Sequence, residues 1–476
     1  MTETIQTDLC IIGAGSAGLS IAAGAAQMGA KVVLIEGHKM GGDCLNTGCV
    51  PSKSLLAAGK AAKIARASGK FGVNGAEPVI NFAKANAHVQ SVIATIAPHD
   101  SVERFEGLGC TVIQAHGKFS GPDTVEAGGK IIRARRFIIA TGSRAAVPPI
   151  PGLAGVPHFT NETIFDNTVL PEHLIIIGGG PIGCEMAQAH RRLGARVTIL
   201  DAGGILPKDD PEAVEVVRRR LTSEGVVLRE KIKIARVEAG ESGIAVVLST
   251  PGGSEERVAG SHILVAAGRR PNVENIGLDE AGVKYSPRGI TVDARLRTSN
   301  TKIFAAGDVA GGYQFTHLAG YHAGIIIRNI LFWVPAKAQP AAMPWVTYTD
   351  PELAQVGLSE AEAKAKFGDT VRIVRAEFTG NDRAIAEGAT DGFLKAVVAK
   401  NGKILGATIV GLNAGELILP WVLAITSGLK IGAMTAMIAP YPTLSEISKR
   451  AAGAYYTPTL FSDSTRFIVR NLLRFT

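Results

Sequence analysis

The sequence predicts an α/β fold built on two similar strand–turn–helix–strand units, and three observations carry that reading. Glycine-rich turns, GAGSAG at 13–18 and GGGPIG at 178–183, each join an apolar run to a helix-like run. An acidic residue stands 23 positions beyond the first glycine in both copies, Glu36 after Gly13 and Asp201 after Gly178. With 476 residues, 46% of them apolar, the chain can bury a large core and divides into about three domains of ordinary size.

Taken in order, LCII at 9–12 is a short strand, Gly13, Gly15 and Gly18 fill the glycine positions of G-x-G-x-x-G, and a small-residue helix follows to about Gly29. KVVLIE then supplies a second strand ending at Glu36. The glycines permit a tight turn and close approach to a pyrophosphate. Its charge faces the N–H groups that open the helix, while the acid accepts the ribose hydroxyls. This is the Rossmann-like pattern of a dinucleotide site. The run 9–30 carries no charge, but five glycines interrupt it and Asp8 rather than a basic cluster precedes it. It therefore reads as neither a signal nor a membrane segment, and the chain as cytoplasmic.

LIIIGGGPIGCEMAQAHRRLGARVTILD repeats the pattern with Gly178, Gly180, Gly183 and Asp201, so two dinucleotides are expected. Two further echoes, RFIIATGSRAAVPPIPG at 136–152 and HILVAAGRRPN at 262–272, run an apolar strand into a glycine turn and a basic residue. They place Thr141, Gly142 and Gly268 at strand ends. TKIFAAGDVAG ends another strand in Gly307-Asp308, where a carboxylate can bond a polyol or ribose hydroxyl. The chain thus leaves its first domain near 150 and returns near 272.

Net charge is +8, from 50 basic and 42 acidic residues, without a concentrated basic run interleaved with aromatics. That balance argues against a nucleic-acid partner. Five cysteines are too few for a disulfide-stapled secreted scaffold. Cys10 and Cys184 lie in apolar elements beside the glycine turns, Cys110 opens a strand-like run, and these three read as structural. GGDCLNTGCVPSK at 41–53 holds Cys44 and Cys49, which could be core thiols, metal ligands or a redox pair. Zinc would need two more ligands, and only His38 lies close in sequence, so no metal site is expected. Glycine, aspartate and asparagine around the cysteines argue for a polar loop over a core strand.

GGDCLNTGCVPSK, both G-x-G-x-x-G turns with Glu185 after the second, the ATG turn, AAGDVAG, PWVTYTDPELAQVGLSE and YPTLSE together resemble the flavin-dependent pyridine nucleotide-disulfide oxidoreductases. The resemblance spans nearly the whole chain. It implies an FAD-binding domain at 1–150 and 272–340, an inserted NAD(P)H-binding domain at 151–271, and an α+β interface domain at 341–476 that forms a homodimer. It further implies that Gly13, Gly15, Gly18, Glu36, Lys53, Thr141, Gly142, Asp308 and His317 hold FAD, and that Gly178, Gly180, Gly183, Asp201 and Gly268 hold NAD(P)H. His317 would act through its backbone N–H beneath the flavin pyrimidine, whereas His322 reads as a core residue. Asp201 suits a ribose 2'-hydroxyl and repels a 2'-phosphate, so NADH is expected over NADPH. Pro181 stands where members often carry an aromatic gate.

In the family pattern Cys44 exchanges with substrate and Cys49 contacts the flavin. Pro51 suits the first turn of a helix running through SKSLLAAGKAAKIAR, which puts Cys49 at the positive helix end, where a thiolate is favoured. Lys53 is one turn further on, and by resemblance pairs with Glu185 beside the flavin N5.

Lipoamide and glutathione reductases carry H-x-H-P-T-x-S-E near the C-terminus, the second histidine being the acid/base across the dimer and the glutamate its support. This chain reads APYPTLSE, keeping Glu446 but placing Tyr441 at the histidine position. An unperturbed phenol titrates near pH 10, about three units above neutrality, so it is a poor general base. Weak lipoamide turnover is expected. Tyrosine here is similar to mercuric reductases, although their C-terminal cysteine pair has no counterpart, since no cysteine follows Cys184. The expected function is a mercuric-reductase-like passage of electrons from NADH through FAD to the Cys44–Cys49 disulfide, and on to a small disulfide or soft metal ion. A dihydrolipoamide dehydrogenase, or a flavoprotein subunit docking to a larger complex, is the alternative. The tail FSDSTRFIVRNLLRFT spaces Arg466, Arg470 and Arg474 beside apolar residues, and packing on a dimer or domain surface is expected ahead of membrane contact.

Overall fold

Runs rich in isoleucine and valine, bounded by glycine, become the parallel strands of two sheets in the computed structural model, which describes residues 3–240, 243–250 and 254–475. In the first sheet Cys110–Gln114, Val32–Glu36, Thr4–Ile12 and Lys130–Ile139 lie side by side and parallel. The C-terminal half of Lys130–Ile139 also pairs in parallel with Ile303–Ala305, which returns from far along the chain. Its N-terminal half joins an antiparallel extension formed by Thr124–Ala127 and Lys118–Gly121. The second parallel sheet runs Val226–Arg229, Arg196–Leu200, His173–Ile177, His262–Val265. A three-stranded antiparallel meander, Lys233–Gly240, Gly243–Ser249 and Glu255–Gly260, lies between its last two strands in sequence. The chain crosses between the two parallel sheets twice, and the crossings Ser143–Ala145 and Arg269–Pro271 pair as an antiparallel ribbon.

Both parallel sheets are buried on both faces, as their unbroken apolar runs require: Leu9, Ile11, Leu34 and Ile138 face one side of the first sheet, Cys10, Val33, Phe137 and Ile139 the other. Cys10, Cys110 and Cys184 are buried, and burial alone pushes the Cys10 thiol above the ordinary range. His322 is buried too, its Nδ1 accepting from Gly307 N at 3.2 Å.

Residues Met1–Gly203 and Val226–Gln339 form one compact unit; Gly204–Gly225 and Pro340–Thr476 form the other. The second is built on a five-stranded antiparallel sheet, in the order Pro344–Thr347, Glu352–Gly357, Ile404–Gly411, Phe393–Val398, Arg372–Glu377. Helices Leu419–Thr426 and Glu446–Ala454 pack on it through Trp421, Ile447 and Ala451. Helix Pro211–Ser223, which the sequence reading gives to the nucleotide domain, clusters with this sheet because buried Lys395 binds its N-terminal cap. Lys395 Nζ is 2.7 Å from Asp210 Oδ2, 2.7 Å from Glu212 Oε1 and 3.1 Å from Glu360 Oε2. The tail is helical over Asp463–Leu472 with no buried residue, and Thr476 lies outside the described residues. Among the described residues no helix is long and apolar enough to cross a membrane.

Candidate active site

Cys44 and Cys49 sit on successive helices, Gly42–Asn46 and Cys49–Ala67, and both are free thiols. The spacer between them is shaped by Asp43. Thr47 Oγ1 donates to Asp43 Oδ1 at 2.8 Å, and a Cβ on Gly48 would fall 2.8 Å from Asp43 Oδ2, so only glycine lets the loop close over the carboxylate. Cys49 is the first residue of its helix and Pro51 lies inside the first turn, as the sequence implies. Cys49 Sγ is 3.3 Å from Thr316 Oγ1, at the start of helix Thr316–Leu331.

A hydrogen bond between the two sulfurs divides their protons. It lowers Cys49 to about 6, helped by Thr316 and the Lys53 charge and opposed by burial and Asp43. The same bond, followed by burial and the Cys49 charge, pushes Cys44 well above the ordinary thiol range. Cys49 is therefore the thiolate and Cys44 the proton donor to it.

One turn after Cys49, Lys53 Nζ donates to Glu185 Oε2 at 2.8 Å, and the Glu185 side chain is only 5% exposed. Glu185 lies on helix Pro181–Arg192, whose first residue is Pro181. That helix approaches closely enough for the pair because Gly59 faces it: a Cβ there would meet Ala189 Cα and O at 3.3 Å.

The glycine turns match each other atom for atom. Gly13 and Gly178 have φ of 107° and 116°, and a Cβ on Gly18 or Gly183 would lie 1.8 or 2.0 Å from the carbonyl oxygen of Gly13 or Gly178. Gly180 meets nothing within 4 Å and Gly15 only Gly42 Cα at 3.8 Å, which leaves backbone amides at each helix start accessible to a phosphate. Glu36 and Asp201 close the turns: Ala14 N donates to Glu36 Oε2 and Gly179 N to Asp201 Oδ2, both at 2.6 Å. Donor sets and space at both turns fit a dinucleotide. Thr141 Oγ1 donates to Asn272 O, and Asn272 N to Gly142 O, which ties the ATG turn to the second crossing. Gly268 O accepts from Ala146 N. Asp308 accepts from Ser143 Oγ at 2.5 Å, and burial raises its carboxyl above the usual range. His317 is the second residue of its helix and stacks on Phe315, so its backbone N–H belongs to the first turn, as the sequence implies.

Residues 7–323 match the family described as pyridine nucleotide-disulphide oxidoreductase, and 343–452 match its dimerisation domain. The chain belongs to this family. It is 35% identical over 448 residues to a mercuric reductase of Staphylococcus aureus, covering 94% of this chain and 82% of that protein. It is 36% identical over 466 residues to a dihydrolipoyl dehydrogenase of Thermus scotoductus, covering 94% and 97%. Among solved structures it resembles the Cu(II) complex of the HOCl-induced flavoprotein disulfide reductase RclA of Escherichia coli, with a TM-score of 0.84 and 27% identity over 93% of this chain and 99% of that one. The chain is an FAD- and NAD(P)H-dependent oxidoreductase with a dimerisation domain that indicates a homodimer.

In the second unit Tyr441 is 71% exposed and its hydroxyl donates to Asp382 Oδ2 at 3.0 Å. That bond and the Asp382 charge raise the phenol above its ordinary value. Glu446 Oε2 instead accepts from Thr443 N at 3.3 Å. Sequence reasoning did not find Asp382, Thr316 or Asn272, which meet their partners only through the fold. The basic residue noted after each glycine turn was the one available signal for Arg269, whose Nη2 lies 3.2 Å from Asp43 Oδ2.

Proposed function

We propose that this chain uses NADH to reduce a soft metal ion through Cys44 and Cys49, with small disulfides as poorer acceptors. The observation that carries the choice is Tyr441 at the position of the histidine base, with its hydroxyl committed to Asp382. Attack on a disulfide needs Cys44 as a thiolate, yet the neighbouring Cys49 and burial raise its thiol, and the Tyr441 phenol, raised by Asp382, yields its own proton less readily than a free phenol and so offers little phenolate to accept one. A soft cation needs no such base, because forming the metal–sulfur bond itself expels the thiol proton. The two sulfurs then close to a disulfide as two electrons pass to the acceptor. Likeness to mercuric reductases and to the RclA copper complex supports the same choice, and likeness to dihydrolipoyl dehydrogenases keeps lipoamide as the second reading.

Bound FAD would supply two-electron exchange between the nicotinamide and the cysteine pair. Around it, Gly13, Gly15, Gly18, Glu36, Thr141, Gly142, Asp308 and the His317 amide hold the cofactor, and Glu185 fixes the Lys53 ammonium in place one turn from Cys49. Gly178, Gly180, Gly183, Gly268 and Asp201 hold NADH, Asp201 disfavouring a 2'-phosphate. The domain limits 1–150 with 272–340, 151–271 and 341–476 belong to the same reading, as does a cytoplasmic location. The exposed tail helix is read as a protein-packing surface; sedimentation of the protein with anionic vesicles would overturn that. Replacing Cys49 by serine should leave FAD bound and abolish acceptor reduction; full activity in that variant would sink the mechanism.

A further inference from the structure

The tail helix Asp463–Leu472 is well formed and uncovered. Ser462 Oγ caps it, accepting from Thr465 N at 3.2 Å, and Thr465 Oγ1 donates to Thr459 O at 2.8 Å, which fixes its direction against the preceding helical turn Thr457–Leu460. At about 100° per residue, Ile468, Val469 and Leu472 share an arc of about 100°, and Arg466 and Arg470 fall outside it. The three apolar side chains are 56%, 46% and 61% exposed, and Leu460 and Phe461, just before the cap, lie open as well. A helix this short is marginal in water and draws most of its stability from packing an amphipathic face. Among the described residues its own chain buries none of it.

Its place in the chain points to what covers it. The match to the dimerisation domain ends at residue 452, inside helix Glu446–Ala454, and the chain runs from there through Thr457–Leu460 straight into the open stripe. The Tyr455 hydroxyl donates to Lys400 O at 3.0 Å, tying this connection to the turn between strands Phe393–Val398 and Ile404–Gly411. The stripe is thus held at a set angle, a few residues beyond the domain through which two copies pair. We propose that the tail helix packs Ile468, Val469 and Leu472 on the second copy of this chain, extending the homodimer interface beyond the dimerisation domain. Arg466 and Arg470 then stay in water at the rim, where charged groups belong in such contacts. The inference rests on the homodimer and on the reading of the tail as a protein-packing surface; it is independent of the choice of acceptor.

The test places the photo-crosslinker p-benzoylphenylalanine at Leu472, or at Arg470 as the control outside the stripe, in the full-length, FAD-loaded protein. Irradiation of the Leu472 variant should give a band of doubled mass on a denaturing gel, with much less from the Arg470 variant. A yield from Leu472 no greater than from Arg470 overturns the proposal. Exchange of subunits between tagged and untagged copies gives a second reading. I468D/L472D sets two carboxylates into the covered stripe, so it should exchange roughly tenfold faster than wild type or more while keeping its flavin absorbance. Exchange within about twofold of wild type overturns the proposal. Wild type that pellets with phosphatidylglycerol vesicles, where I468D/L472D stays in solution, gives the stripe to lipid and overturns it too. Wild type that sediments as a monomer defeats the homodimer itself, whereas a dimer without the Leu472 cross-link defeats only the part assigned to the tail.

Discussion

Replacing Lys395 by methionine should destabilise the second unit by about 3–5 kcal/mol, the range for removing one partner of a buried ion pair. The structure says where that loss arises. The Lys395 and Asp210 side chains are 4% and 3% exposed and 2.7 Å apart, so Asp210 would be left as a buried, uncompensated carboxylate. Glu212 and Glu360, at 52% and 26% exposure, can turn to water, and their losses belong to the scale of about 0–1 kcal/mol seen at surfaces. Asp210 also caps helix Pro211–Ser223, accepting from Glu212 N at 3.0 Å and Ala213 N at 3.4 Å. Asparagine caps nearly as well as aspartate, so adding D210N to K395M should recover more than half of the loss. The assay is urea unfolding followed by tryptophan fluorescence, with Trp345 a local reporter because its Nε1 donates to the neighbouring Asp209 at 2.7 Å. A K395M variant within about 1 kcal/mol of wild type, or no recovery with D210N, would refute the reasoning.

Gly18→Ala should purify with most of its flavin absorbance missing, because the added Cβ would lie 1.8 Å from Gly13 O and the turn must open to admit it; normal flavin content would count against the cradle. His190 is fully buried, with Nε2 lacking a hydrogen-bond partner, and burial lowers it to about 4. Its unfolded form takes up a proton below the ordinary value near 6.5, so its contribution is complete above that pH and is lost as pH falls toward 4, by about 3 kcal/mol in total. His190→Phe, packed against Phe82, should flatten that part of the stability–pH curve, and an unchanged slope would contradict it. Tyr441→His should raise lipoamide turnover by roughly tenfold or more, since positioned imidazole contributes on that scale or above; no gain would mean that Tyr441 does not set acceptor choice.

Features encoded by short spacing were legible before the fold was known. The glycine turns, their acids and the helix beginning at Cys49 follow from local rules of turn geometry and helix starts, and Glu185 was reached through resemblance to the family. Partners joined by long separations were not. Asp43 meets Arg269, Tyr441 meets Asp382 and Lys395 meets Asp210 only because strands order themselves as they do, and no periodicity marks such pairs. Glu446 illustrates the limit: the motif suggests support for residue 441, but the helix starting at Glu446 turns its carboxylate to Thr443 N, and Asp382 takes the phenol. Helix Pro211–Ser223 is similar, since its amphipathic pattern says that one face is buried but not by which sheet.

Acceptor choice by the cysteine pair is tested most directly by anaerobic NADH oxidation with the FAD-loaded protein, offered lipoamide, Hg(II) with excess thiol, and Cu(II) in parallel. The expected result is brisk turnover with a metal ion, slow turnover with lipoamide, and loss of the metal reaction on replacing Cys44 with serine. Fast lipoamide turnover alongside weak metal turnover would contradict it and make the chain an ordinary lipoamide enzyme.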